Sequence, residues 1–141
     1  MTTPTDADRS APPPTAGDRF DRLVQIMRRL RSPDGCAWDR EQTLASLRPF
    51  VLEEAYEVVD AIDRGDRTAL CDELGDLLLE AVFVAQICAE TSAFTIADAT
   101  DAVVAKLIRR HPHVFGGSDT GTDAGRRDLP SAEVKDQWER I

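Results

Sequence analysis

Two runs of carboxylates carry the chemistry this sequence could do. Glu53, Glu54 and Glu57 form E-E-x-x-E, and Glu73, Asp76 and Glu80 recur at steps of three and four. At about 100° per residue, each set occupies one sector of a helix. Taken alone, E-E-x-x-E reads as a solvated outer face. The second set is less easily dismissed, because ALCDELGDLLLEAVFVAQICA is apolar almost all round the cylinder and predicts a helix buried on most sides. Burying a carboxylate costs on the order of several kcal/mol unless something compensates it.

Counting from Gly65 relates the two runs. Glu57 lies eight residues before it and Glu73 eight after; Glu54 lies eleven before and Asp76 eleven after. In an antiparallel hairpin with a tight turn, equal offsets give equal heights, so Glu57 should stand near Glu73 and Glu54 near Asp76. Two carboxylates about 5 Å apart repel by roughly 3 kcal/mol at an effective dielectric near 20. Protonation relieves one pair, whereas a divalent cation relieves all four. Oxygen donors without helical His or Cys favour Mg²⁺ or Mn²⁺ over Zn²⁺ or copper. A di-iron bundle would need Glu-x-x-His motifs, which are absent from this sequence. The competing arrangement is a splayed hairpin with both acidic sectors facing water. A hard ion held by carboxylates keeps positions for a phosphate and for water. Glu53 has no acid at its own level across the hinge, so it is a candidate to orient or deprotonate that water, or else it is solvated or acts at one remove.

The basic counterpart is AKLIRRHPHVF, where Lys106 and Arg110 border an apolar stripe and Arg109 sits farther round. Cations in a last turn complement the helix dipole; they also suit the outer phosphates of a polyphosphate. His111 and His113 flank a proline at a helix end, where they shape the turn or ligate metal. Trp38 and Trp138 either pack or stack on a base.

These residues need helices to hold them. The periodicity predicts an all-α chain of four main helices, a four-helix-bundle-like arrangement. The first begins near Asp18, and Ser32-Pro33-Asp34-Gly35 stops it. Thr43 caps a brief stretch to Arg48, and Pro49 opens the second long helix, which ends at Gly65. Asp66 caps a third over roughly 67–90, and a fourth follows Thr95, with Asp98 as the capping-box acid, to His111-Pro112. Residues 1–17 read as a disordered tail, 116–130 as a flexible loop and 131–141 as a short last helix.

The 141 residues suit one domain, here 18–141. Lys and Arg total 17 against 26 Asp and Glu, a net charge of −9, which disfavours polymeric nucleic acid and anionic membranes as partners. Three cysteines without a C-x-x-C pair suit a reducing cytoplasm, and the longest apolar stretch, Leu77 to Ala89, is too short to span a bilayer. No apolar segment of a signal peptide is seen at the N-terminus, so the expectation is a soluble, cytoplasmic chain.

RLRSPDGCAWDREQTLASLRPFVLEEAYEVVDAI, DELGDLLLEAVFVAQI, KLIRRHPHVF and the closing QWERI resemble the MazG nucleoside triphosphate pyrophosphohydrolases. The likeness covers about residues 20–115 and resumes near the C-terminus. It implies an all-α MazG fold completed by homodimerisation, and Mg²⁺-dependent (or Mn²⁺-dependent) cleavage of NTP to NMP and pyrophosphate. It also implies metal ligands at Glu54, Glu57, Glu73 and Asp76. Nucleotide contacts would fall at Phe50 to Glu54, Ala69 to Asp72, Lys106, Arg109, Arg110 and Trp138. Glu53 and Lys106 are the catalytic candidates. Ala37 stands where the family has proline, the Gly/Asp-rich loop is longer than typical, and one such domain is read where some members have two. The competing functions are a non-catalytic acidic helical interaction module, and a pyrophosphatase restricted to dUTP or a modified nucleotide.

Overall fold

A computed structural model describes residues 11–116 and 128–140. Seven helices and no strand occur among these residues: α1 (Ala16–Leu30), α2 (Ala37–Glu41), α3 (Leu44–Arg64), α4 (Arg67–Glu90), α5 (Ile96–Arg110), α6 (Pro112–Phe115) and α7 (Ser131–Arg140). No helix among them is long and apolar enough to cross a membrane. The chain divides after Glu90 into two compact units. The chain is all-α, as its periodicity predicts.

In the first unit α1 starts two residues earlier than expected. Thr15 and Asp18 form a reciprocal capping box, which pins the N-terminus at Ala16. Residues 1–10 of the expected tail, 117–127 of the expected loop and Ile141 lie outside the described residues. Gly35 closes the turn after α1, its N–H donating to the Ser32 carbonyl at 2.8 Å. The short α2, unanticipated from sequence, follows at once.

Pro49 does not open a helix; it lies inside α3. A Thr43–Ser46 capping box already starts the helix at Leu44, and Leu47, 1% exposed, anchors the turn before the proline in the core. Burial and capping there outweigh the one helical bond that proline removes. At the far end, Gly65 adopts φ +67°, the left-handed cap that reverses the chain, and the Asp66 carboxylate accepts from the Ala69 N–H at 3.0 Å. That two-residue hinge folds α4 back along α3.

The core gathers around the far half of α4: Val82, Phe83, Ala85 and Cys88, with Met27 of α1 and Leu47 of α3; Ala61 of α3 is buried nearer the hinge. Arg31 ties this end together. Its guanidinium reaches the Asp39 carbonyl, the Gln42 carbonyl at 3.1 Å and the Glu90 carboxylate at 2.7 Å, and lies over the Phe83 ring. The expectation that α4 is buried on most sides fails nearer the hinge, where Leu74 and Leu78 are 51% and 43% exposed. Val51, Leu52, Tyr56, Val59 and Ile62 of α3 are exposed too. An apolar helix signals that a face is to be covered, not that its own chain covers it.

In the second unit, Thr95 and Asp98 cap α5 reciprocally. Its C-cap residue His111 is also the N-cap of α6, with Pro112 at the first helical position.

Candidate metal and nucleotide site

Glu54, Glu73 and Asp76 meet. One carboxylate oxygen from each lies within 4.8 Å of the other two, with Glu54 and Glu73 half-buried and Asp76 exposed. The hinge explains why: with Gly65 reversing the chain and Asp66 capping α4 at once, positions equally distant from Gly65 come level. Glu57, expected opposite Glu73, acts on that carboxyl electrostatically but is exposed and stands outside the trio.

The trio is under electrostatic load. The Glu54 carboxyl is pushed above the ordinary carboxylate range by partial desolvation and then by Asp76, Glu73, Glu53 and Glu57. Glu73 is pushed up by desolvation, then by Glu57, Asp76 and Asp72. Arg64 is the basic group acting on Glu73, and the weakest influence on it; its guanidinium is taken by Asp60 at 2.8 Å and Asp66 at 3.3 Å.

The donor set fits a hard divalent ion. Three carboxylates that each bring an oxygen within 4.8 Å of the other two would be the ligands of such an ion. All three donors are carboxylates, the ligand type that suits Mg²⁺ or Mn²⁺.

Glu80, the third acid of the second run, is given no role by the offsets from Gly65. It lies one turn beyond Asp76 on the same face of α4, half-buried, with its Oε2 enclosed and lacking a hydrogen-bond partner among the described residues. Desolvation, then Glu54 and Asp76, push its carboxyl up. The available signal was its spacing from Glu73 and Asp76. Equal offsets from Gly65 pair it with Phe50 and not with an acid, and Phe50 packs edge-on against the exposed Trp38 at 6.0 Å. Glu53 and Asp72 point to the exposed side of their helices.

In the second unit Lys106 and Arg109 are exposed, and Arg110 lies over the Trp138 ring at 4.4 Å from its centroid. The His111 ring lies 5.7 Å from Trp138 and 5.6 Å from His113, and its Nδ1–H donates to the Leu107 carbonyl at 2.6 Å. Among the expected stripe of α5, Val103 and Leu107 are exposed, and the neighbouring Ile108 is buried instead. Arg110, His111 and Trp138 thus make one aromatic and cationic patch.

A family model for the MazG nucleotide pyrophosphohydrolase domain matches residues 42–115, which hold both acidic runs and the end of α5. The chain belongs to the MazG family. A Thermotoga maritima protein named nucleoside triphosphate pyrophosphohydrolase/pyrophosphatase MazG is 55% identical over 126 residues, 89% of this chain and 45% of the relative. An Escherichia coli K12 nucleoside triphosphate pyrophosphohydrolase is 48% identical over 125 residues, 88% and 44% of the two chains. A Mycobacterium tuberculosis protein of the same name is 44% identical over 110 residues, 77% and 33%. The chain spans less than half the length of these MazG relatives.

Proposed function

We propose that this chain is a Mg²⁺-dependent nucleoside triphosphate pyrophosphohydrolase, with Mn²⁺ able to substitute, releasing NMP or dNMP and pyrophosphate from NTP or dNTP. The observation that carries the reading is the uncompensated trio of Glu54, Glu73 and Asp76 in a chain of the MazG family. These three would hold the ion, with Glu57 beside Glu73 able to join them. When bound, the ion supplies charge neutralisation at the phosphates and acidifies water.

The protein's own groups do the rest. Glu53, one residue before Glu54 and exposed, orients water or takes its proton. The water oxygen attacks the α-phosphorus, the bond from that phosphorus to the bridging oxygen breaks, and pyrophosphate leaves with the bridge electrons. Lys106, Arg109 and Arg110 are assigned to the outer phosphates on their chemistry and the family likeness. Trp138, braced by Arg110, offers a face for the base, and Phe50 and Asp72 flank the acidic trio in sequence.

A homodimer in the cytoplasm completes the proposal. The exposed apolar side chains of α3 and α4 support it, together with a groove of about 830 Å³ lined by Leu44, Pro49, Val51, Leu52, Ala55 and Val84. Sedimentation at micromolar concentration should give the dimer mass.

The test is a panel of canonical and modified NTPs with Mg²⁺, with pyrophosphate and orthophosphate detected separately. Pyrophosphate release that disappears in Asp76→Asn is expected. Orthophosphate alone, or turnover indifferent to Asp76→Asn, would refute the enzyme; tight, salt-sensitive binding of a basic partner with no turnover would establish an interaction module. Activity confined to dUTP or one modified nucleotide would narrow the substrate.

A further inference from the structure

One carboxylate oxygen of Glu80 has no hydrogen-bond partner among the described residues. Glu80 lies on a helix whose nearby positions Val82 and Phe83 are core, and its Oε2 is enclosed with no donor among the described residues. An enclosed acceptor left unpaired is unfavourable, and leucine would serve packing better. Glu80 is also outside the set of carboxylates whose oxygens converge within 4.8 Å, while remaining close enough for Glu54 and Asp76 to act on it. It therefore stands one step beyond the first ring of oxygens, on the side away from the Gly65 hinge.

We infer that Glu80 is a positioning residue for the metal site, its Oε2 accepting a hydrogen bond from a water of the ion's hydration shell. The inference rests on the metal reading above and deepens it. Mg²⁺ and Mn²⁺ retain waters when carboxylates hold them, and outer hydrogen bonds fix where those waters stand. The enclosed oxygen supplies the acceptor, the trio supplies the ion, and the one-turn step from Asp76 to Glu80 supplies the separation. Such a contact orders the end of the hydration shell next to Phe50, where neither helix offers another acid at that level.

Mn²⁺ affinity, read from the electron paramagnetic resonance signal of free ion, tests this in the full chain without nucleotide. Glu80→Leu should weaken Mn²⁺ binding by about 10- to 100-fold, the range for lost outer-shell partners. The same variant should melt higher than the parent in EDTA, because leucine replaces a half-buried charge; a merely structural Glu80 would give a lower melting point. Glu80→Gln keeps an acceptor oxygen and should bind only several-fold more weakly. Unchanged Mn²⁺ affinity in both variants overturns the role, as does an unchanged Glu80→Gln should Glu80→Leu lose its helical circular dichroism. Glu54→Gln separates the two levels: if it abolishes Mn²⁺ binding while the Glu80 variants are silent, only this inference falls. If it too leaves binding intact, the metal reading falls with it.

Discussion

Glu54→Gln should stabilise the metal-free protein and destabilise the Mg²⁺-loaded one relative to the parent. Glu54 shares a 4.8 Å neighbourhood with Asp76. At that separation the pair repels by about 3.5 kcal/mol at an effective dielectric of 20 and about 0.9 kcal/mol at that of water. Asp76 is exposed and Glu54 only half-buried, so solvent screening selects the lower figure. Removing one charge should then add about 1 kcal/mol in EDTA, or roughly 4 °C in Tm for a domain of this size.

If the trio holds Mg²⁺ as proposed, the ion should reverse the order. At one hundred times its Kd the ion adds about 2.7 kcal/mol to the parent. A variant binding 100-fold more weakly gains about 0.4 kcal/mol at the same concentration, so the parent finishes ahead by about 1.3 kcal/mol. Thermal melts followed by circular dichroism, with EDTA and with Mg²⁺, show whether the curves cross. A variant that melts lower in EDTA would mean that the trio does not strain the fold, and one that gains as much from Mg²⁺ as the parent would mean that Glu54 does not hold the ion.

Three other outcomes follow from the same geometry. In EDTA the protein should be more stable at pH 5 than at pH 7: Glu54, Glu73 and Glu80 have raised carboxyls, so above about pH 4.5 the folded state keeps protons the unfolded chain has released, and that stability is lost as pH rises through the raised values. Urea midpoints check this, and a higher midpoint at pH 7 would contradict it; below pH 4 the lowered Asp18 and Asp66 work in the opposite sense. Arg31→Lys should cost about 2–3 kcal/mol in urea unfolding, because an ammonium cannot serve Asp39, Gln42 and Glu90 together; parent-like stability would show the guanidinium to be dispensable. Gly35→Ala should lose about 2 kcal/mol or more, since a Cβ there would stand 2.1 Å from the Leu30 carbonyl oxygen and the turn must open; an unchanged urea midpoint would show that the turn yields freely.

The convergence of Glu54 with Asp76 was legible because two local signals fix it. Gly65 and Asp66 leave no slack in the hinge, and a hairpin without slack turns sequence offset into height. Glu80 escaped the same arithmetic because its level partner is Phe50; offset matching finds like with like and passes over an acid that faces an aromatic. Arg31 was equally hidden. Nothing in the sequence around Ser-Pro-Asp-Gly marks it, and the fold shows two carbonyls and a carboxylate converging on it. Pro49 misled in the other direction, since its helix-starting preference was local and the burial of Leu47 was not.

The misjudged burial of α4 has a physical consequence for the site. Its far half is the core, whereas its hinge half carries Glu73 and Asp76 beside the exposed Leu74 and Leu78. The chain thus places the groups proposed to hold the metal on the more exposed half of α4. Converged carboxylates in a dry core would have to be neutral or paired before an ion arrived; at a half-covered surface, water screens them until it does. The same openness leaves apolar side chains unsatisfied on the face that bears the trio's helix. Covering that face by a second copy would lower the local dielectric and strengthen both the repulsion in the empty site and the attraction in the loaded one. Assembly and ion binding would then favour each other, because the ion removes the repulsion that a drier surface would otherwise make worse.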